Sequence, residues 1–365
     1  MARTKGRGLF ALVSLVLVGP MAGCEGSGPT DPPREDGART VKGIALSPRG
    51  FPESFAEILD FLDEAGSFSD AGVLWNGAWR DDVEEGTDAG TPPGAALLTL
   101  QQAAGHGYEP ILVVGWRGNE GPHIRIPSNP DNSWANEEAA ALYVEVVAGV
   151  ADTYRPPFLF LGNESSVYFS TDPEDYARWI AVYNDAYDAI KSASPETLVG
   201  PIFQYERTAG IGVLAGMNQS EWGAVTMHDF DRIDVLGLTV YPFFAHATPN
   251  AVPATYLDPL LPYIGDTPIA ITETGWPAEI AEGFVAPWEA SEAHQVTYLE
   301  RLGDALEGWE TRLVSWLFLH PPVAPEPGGL APLDWNIFHS LSLRRASGEE
   351  RPVYDVWEAF TPEAP

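Results

Sequence analysis

The chain predicts an α/β protein built as a single (β/α)8 barrel, the TIM-barrel architecture, and three observations lead there. From Thr40 onward, eight short β-rich runs recur at a spacing of about 40 residues, the repeat such a barrel needs. Amphipathic stretches with apolar residues at i, i+3 and i+4 separate most of these runs. No GxGxxG or phosphate loop follows the first run, which sets aside an open doubly wound sheet.

The segment ahead of the barrel reads differently. Residues 1–7 are basic, and the apolar run LFALVSLVLV that follows is too short for an ordinary membrane span. It ends in Met21-Ala22-Gly23-Cys24, which holds the only cysteine of the chain. This pattern resembles a bacterial lipoprotein signal. The resemblance implies that residues 1–23 are removed and Cys24 is acylated. The chain would then sit in the bacterial cell envelope, touching the membrane through its lipid alone. Residues 24–39, rich in Gly, Pro and charge, make a flexible linker, and the barrel occupies 40–365. One cysteine permits no disulfide within the chain, so stability comes from packing.

The strand candidates, in order, are VKGIALS (41–47), AGVLWN (71–76), PILVVGW (110–116), FLFLGN (158–163), LVGPIF (198–203), DVLGLTVY (234–241), IAITET (269–274) and LVSWLFLH (313–320). Helical periodicity covers 54–66, 96–107, 136–154, 173–192 and 292–309, with weaker patterns at 208–230 and 254–265. Asp172-Pro173 supplies an N-cap and a proline at the first helical position. Residues 354–360 form a short closing helix.

Barrels of this kind carry their chemistry at the strand C-termini. The fourth run ends in Gly162-Asn163-Glu164 and the seventh in Thr272-Glu273-Thr274-Gly275-Trp276-Pro277. A carboxylate where an apolar strand emerges is costly unless it is paired or used. Two of them facing each other across the mouth suit glycosidic cleavage, one protonating the departing oxygen and the other attacking the anomeric carbon. A separation of about 5–5.5 Å gives retention of configuration.

These two motifs resemble the marks of the clan A glycoside hydrolases. The sixth run, with Tyr241-Pro242-Phe243 at its end, is similar to its counterpart in the endo-β-1,4-galactanase family of that clan, and Glu-Thr-Gly-Trp-Pro resembles the β-1,3-glucanases. The resemblance implies Glu164 as acid/base, Glu273 as nucleophile, Asn163 on the sugar 2-hydroxyl and Tyr241 orienting Glu273. It also implies a raised pKa at Glu164 with Glu273 ionised. The clan commonly has an arginine near the end of the second strand. This chain has none there, and leaves Arg80 or Arg117 to substitute. A strand-eight aromatic under the sugar would be Trp316 or His320. Trp75, Trp79, Trp116 and Trp276 fall at or just past strand ends, where aromatic faces stack on sugar rings, although one or two of the four are expected to plug the barrel instead. Segments 117–135, 275–290 and 321–341 would wall a groove.

Composition narrows the partners. Hydrophobic content of 45% with 11% aromatic excludes disorder. Against 20 Lys+Arg stand 52 Asp+Glu, a net charge of −32 that repels nucleic acid and other polyanions and favours a neutral β-linked glycan. The seven histidines form no ligand-spaced pair, so neither metal nor cofactor is expected. No GxSxG elbow points to an esterase. A monomer is expected. The competing reading is a surface lipoprotein that binds carbohydrate on the same scaffold without cleaving it.

Overall fold

The computed structural model of the chain describes residues 40–49, 55–69, 71–76, 109–115, 131, 133–322 and 332–361, for some of them, including 71–76, the backbone alone. Nine parallel strands form one sheet: β1 (Val41–Ala45), β2 (Ala71–Asn76), β3 (Glu109–Val114), β4 (Phe158–Leu161), β5 (Leu198–Gly200), β6 (Ile202–Gln204), β7 (Leu236–Val240), β8 (Ile269–Thr274) and β9 (Thr311–Trp316). β1 pairs with both β2 and β9, while β5 pairs only with β4 and β6 only with β7. β5 and β6 are separated by Pro201 alone, so they are two halves of one strand, and the ring closes as eight. That confirms the expected (β/α)8 fold.

The interruption has a physical cause. Proline has no N–H to give to the ladder, and Pro201 instead accepts from the Gly237 N–H at 2.9 Å. The two segments approach so closely here that a Cβ on Gly200 would lie 1.7 Å from the Val235 carbonyl oxygen. Glycine is therefore required on the fifth barrel strand at this crossing.

Strands buried on both faces read as continuous apolar runs, and every residue of β4, β7 and β8 is buried. Around them pack helices α1 (Phe55–Phe68), α2 (Glu137–Tyr154), α3 (Ser165–Thr171), α4 (Pro173–Ala193), α5 (Tyr205–Ala209), α6 (Trp222–Thr226), α7 (Leu261–Ile264), α8 (Glu292–Leu306), α9 (Pro332–Phe338) and α10 (Pro352–Ala359). Asn136 caps α2 through Ala139 N–H at 3.1 Å, Asp172 caps α4 through Asp175 N–H at 2.9 Å, and Ser291 caps α8 through His294 N–H at 3.0 Å. Trp134, Tyr143 and Trp179 pack with ring centroids 4.9–5.5 Å apart and pin α2 to α4.

Two expectations are corrected. The weak patterns at 208–230 and 254–265 deliver only short helices and 3-10 turns. The eighth strand runs over Thr311–Trp316; Leu317 still donates to the Thr274 carbonyl, and the Phe318 and Leu319 carbonyls then turn to accept from the Leu343 and Arg344 N–H groups. Helical stretch 96–107 and residues 1–39, with Cys24, lie outside the described residues.

Candidate active site

The fourth strand is apolar and wholly buried to Leu161, then turns within three residues. Gly162 takes φ 78°, and Glu164 takes φ 44° and ψ 48°, the left-handed region. For a residue with a Cβ this costs about 1–2 kcal/mol. Glu164 stands at the N-cap position of α3 yet makes no side-chain cap hydrogen bond there. Its carboxylate instead accepts from the Thr239 hydroxyl at 2.8 Å. The strained turn thus aims the glutamate into the barrel mouth, away from the helix it would ordinarily cap.

Glu273 approaches from the seventh barrel strand. β7 and β8 run in register up to Leu238 opposite Ile271, and then slip by one, so that Thr239 faces Glu273. Thr272 is the extra residue, its hydroxyl donating to the Leu238 carbonyl at 3.1 Å. Because side chains alternate faces along a strand, a one-residue slip exchanges which face each presents. The bulge therefore puts Glu273 on the face shared by Thr239 and Tyr241. There the Tyr241 hydroxyl donates to Glu273 Oε2 at 2.6 Å.

Glu273 is 6% exposed. Burial first, and the Glu164 charge second, raise its pKa well above the usual carboxylate range, with the Tyr241 donation acting the other way. The two carboxyls are therefore close enough to resist a second negative charge, and the pair titrates as a unit. The resemblance implied the rise at Glu164; burial raises it at Glu273, and the proton belongs to the pair rather than to either carboxyl alone. The deeper burial of Glu273 makes it hold a proton more tightly than an ordinary carboxyl.

One carboxylate of the site was not foreseen. Glu206, just past the fifth barrel strand, is wholly buried and accepts from the Tyr241 backbone N–H at 2.9 Å, the Tyr256 hydroxyl at 2.9 Å and the Gln204 amide at 2.5 Å. Burial pushes its pKa up to about 7 against the pull of these donors. It anchors the backbone of the tyrosine that holds Glu273. Glu164 directly follows its apolar run, whereas Glu206 lies three residues past the run 198–203, and that gap hides it in the sequence.

The remaining residues divide. Asn163 is 4% exposed and lies beside the turn that presents Glu164. Trp276 is wholly buried, its indole N–H donating to the Glu289 carbonyl at 2.9 Å and its ring packed on Phe243 and Tyr298. It offers no face to a sugar. Trp316 is likewise turned outward, between Tyr298 and Trp357, with its N–H on the Leu341 carbonyl at 2.7 Å. His320, expected near the rim of the eighth strand, lies beyond the strand's end and meets Glu64 of α1 at 3.3 Å. Trp75 is on β2, where only the backbone is described. Trp79, Arg80, Trp116 and Arg117 lie outside the described residues. Among the described residues, no group of three or more His, Cys, Asp or Glu could hold a metal ion, and no helix is long and apolar enough to cross a membrane.

No protein-family profile matches the chain, and no curated protein matches it. Solved structures do. An exo-β-1,4-mannosidase from Opitutaceae bacterium strain TAV5 superposes with a TM-score of 0.60 at 18% identity, covering 88% of this chain and 59% of that one. A GH5_18 protein from Bifidobacterium longum subsp. longum, solved with Manβ1-4GlcNAc, gives 0.60 at 14% identity, covering 88% and 77%. A β-D-glucuronidase from Dictyoglomus thermophilum gives 0.55 at 11% identity, covering 88% and 50%. The likeness is one of fold, and the chain spans about half to three-fifths of the mannosidase and the glucuronidase.

Proposed function

We propose that the chain is a retaining glycoside hydrolase that cleaves a neutral β-linked glycan by double displacement. The observation that carries this is a carboxyl pair, Glu273 buried and Glu164 half-buried. Glu164 and Glu273 emerge from the fourth and seventh barrel strands, interact through their charges, and are each held by one hydroxyl from the sixth.

In this reading the pair is active with one proton, and the proton belongs on Glu164 when the bond breaks. Glu164 protonates the leaving oxygen while Glu273 attacks the anomeric carbon, giving a glycosyl ester. Glu164 then takes a proton from water as water attacks, and Glu273 departs as carboxylate. Burial and the Glu164 charge favour the protonated form of Glu273. The positive charge that grows on the sugar ring favours ionised Glu273, and the Tyr241 donor favours it further. In the same reading Asn163 hydrogen-bonds the sugar beside the acid/base. The net charge of −32 favours a neutral substrate over a polyuronide. We also read residues 1–23 as a lipoprotein signal and Cys24 as the acylated residue, which would tether the enzyme in a bacterial envelope.

The test is a screen of the full-length chain against β-1,4-mannan, β-1,4-galactan, β-glucans and xylan for released reducing ends. The structural likeness to a β-1,4-mannosidase puts mannan first. The anomer of the first product, read by NMR, should be β. Glycan binding with no reducing ends released would instead support a non-catalytic binding protein.

A further inference from the structure

A cavity of about 620 Å3, within the range of ligand sites, lies among the segments that follow β1, β8 and β9, and its lining contains neither Glu164, Glu273, Asn163 nor Tyr241. Its lining includes Arg49 after β1, Glu279 after β8, Trp335 on α9, His339 just beyond it, and Arg345 and Arg351 on the return to α10. We infer that this cavity is a remote subsite that binds further neutral sugar units of the glycan whose cleavage is proposed above.

Three features support a neutral polyol. First, two of the three arginines are matched by carboxylates. Glu292 receives the Arg345 fork at 2.8 Å on each oxygen and Arg351 at 2.9 Å, while Arg351 also meets Glu279 at 3.1 Å. A rim of locked ion pairs presents donors and acceptors side by side, as neighbouring sugar hydroxyls need, with little net field for a polyanion. Second, Trp335 and His339 stack with centroids 4.7 Å apart at 30°, a ready face for the C–H side of a sugar ring. Burial lowers the pKa of His339, which keeps that ring neutral. Third, the opening carries a guanidinium with donors to spare. Arg49 is exposed and donates to the Ser347 carbonyl at 3.0 Å, leaving further guanidinium N–H groups for a ligand.

The cavity is also tied to the catalytic strands. Ser340 Oγ accepts from the Glu279 N–H at 3.0 Å and donates to the Glu279 carbonyl at 2.9 Å, binding the loop after β8 to the turn after α9. Phe338, next to His339, lies 5.2 Å from the Tyr241 ring. Glu279 follows Glu273 by six residues, so their Cα atoms are at most about 20 Å apart. A short oligosaccharide can span both places.

The experiment measures binding alone, by calorimetry on full-length E273Q, with β-1,4-linked manno-, galacto-, gluco- and xylo-oligosaccharides of two and five units. The expected result is a pentasaccharide of one series bound at least about ten-fold tighter than its disaccharide. W335A and, separately, R49Q should remove most of that advantage, while W335F retains it. R49Q alters an exposed side chain, so loss of fold does not confound it. Equal affinity for both lengths, or an advantage that survives both W335A and R49Q, would overturn the inference. The readout is independent of turnover. A length advantage that depends on Trp335 and Arg49 sustains the subsite even if the native chain hydrolyses nothing, in which case the catalytic proposal is the one that fails.

Discussion

Thr239 and Glu273 stand opposite each other across the sixth and seventh barrel strands, in a place that unbroken register would give to Thr272. Thr239 in turn donates to Glu164, so a single threonine sits between the two carboxyls and holds one of them. A hydrogen bond to a charged group contributes about 1.5–3 kcal/mol. T239V keeps the shape and removes the donor. It should lower kcat by about ten-fold or more with little change in the melting temperature, as steady-state kinetics and thermal melting will show.

Tyr241 has the corresponding role at Glu273. Its donation at 2.6 Å opposes the burial that raises the Glu273 pKa. In Y241F that opposition is gone, so Glu273 ionises at higher pH. The rising limb of the kcat/KM profile should move to higher pH, and kcat should fall by about 10²-fold, the usual effect of losing one preorganised donor.

Glu206 predicts a pH-dependent stability. Its pKa is about 7 in the folded protein against an ordinary 4.5. Between those two values the folded state binds more protons than the unfolded state, so stability is greatest below about pH 4.5 and falls as pH rises to about 7. The span corresponds to about 3 kcal/mol from this one group. E206Q should flatten that part of the curve in denaturant titrations at stepped pH, relative to the native chain.

Trp276 separates packing from sugar contact. Its burial and its bond to the Glu289 carbonyl make it a wedge between the barrel top and α8. W276A should cost about 3–5 kcal/mol of stability. Denaturant unfolding measures this directly; a variant of native stability with weakened glycan affinity would reverse the assignment.

Much of this site was legible in the sequence, and what was missed has a common cause. The apolar runs marked the eight barrel strands because parallel strands buried on both faces have no polar alternation to hide them. Glu164 and Glu273 were visible because acids at the ends of such runs are chemically conspicuous. Thr239 was not, being one more β-branched residue in an apolar strand. The direction of Trp316 was misjudged because a strand's faces alternate residue by residue, and a bulge on β8 and an early end to β9 are invisible in composition. The break at Pro201 was written in the sequence as Gly200-Pro201. Its meaning emerges only once Val235 is seen pressed against Gly200.

The most direct test of the catalytic pair is the turnover of E273Q on the glycan the native chain cleaves. Glutamine keeps the shape of Glu273 and its contact with Tyr241, but cannot form the glycosyl ester. The account predicts a fall in kcat of about 10⁴-fold or more with an unchanged melting temperature. Hydrolysis by E273Q at the native rate would contradict it.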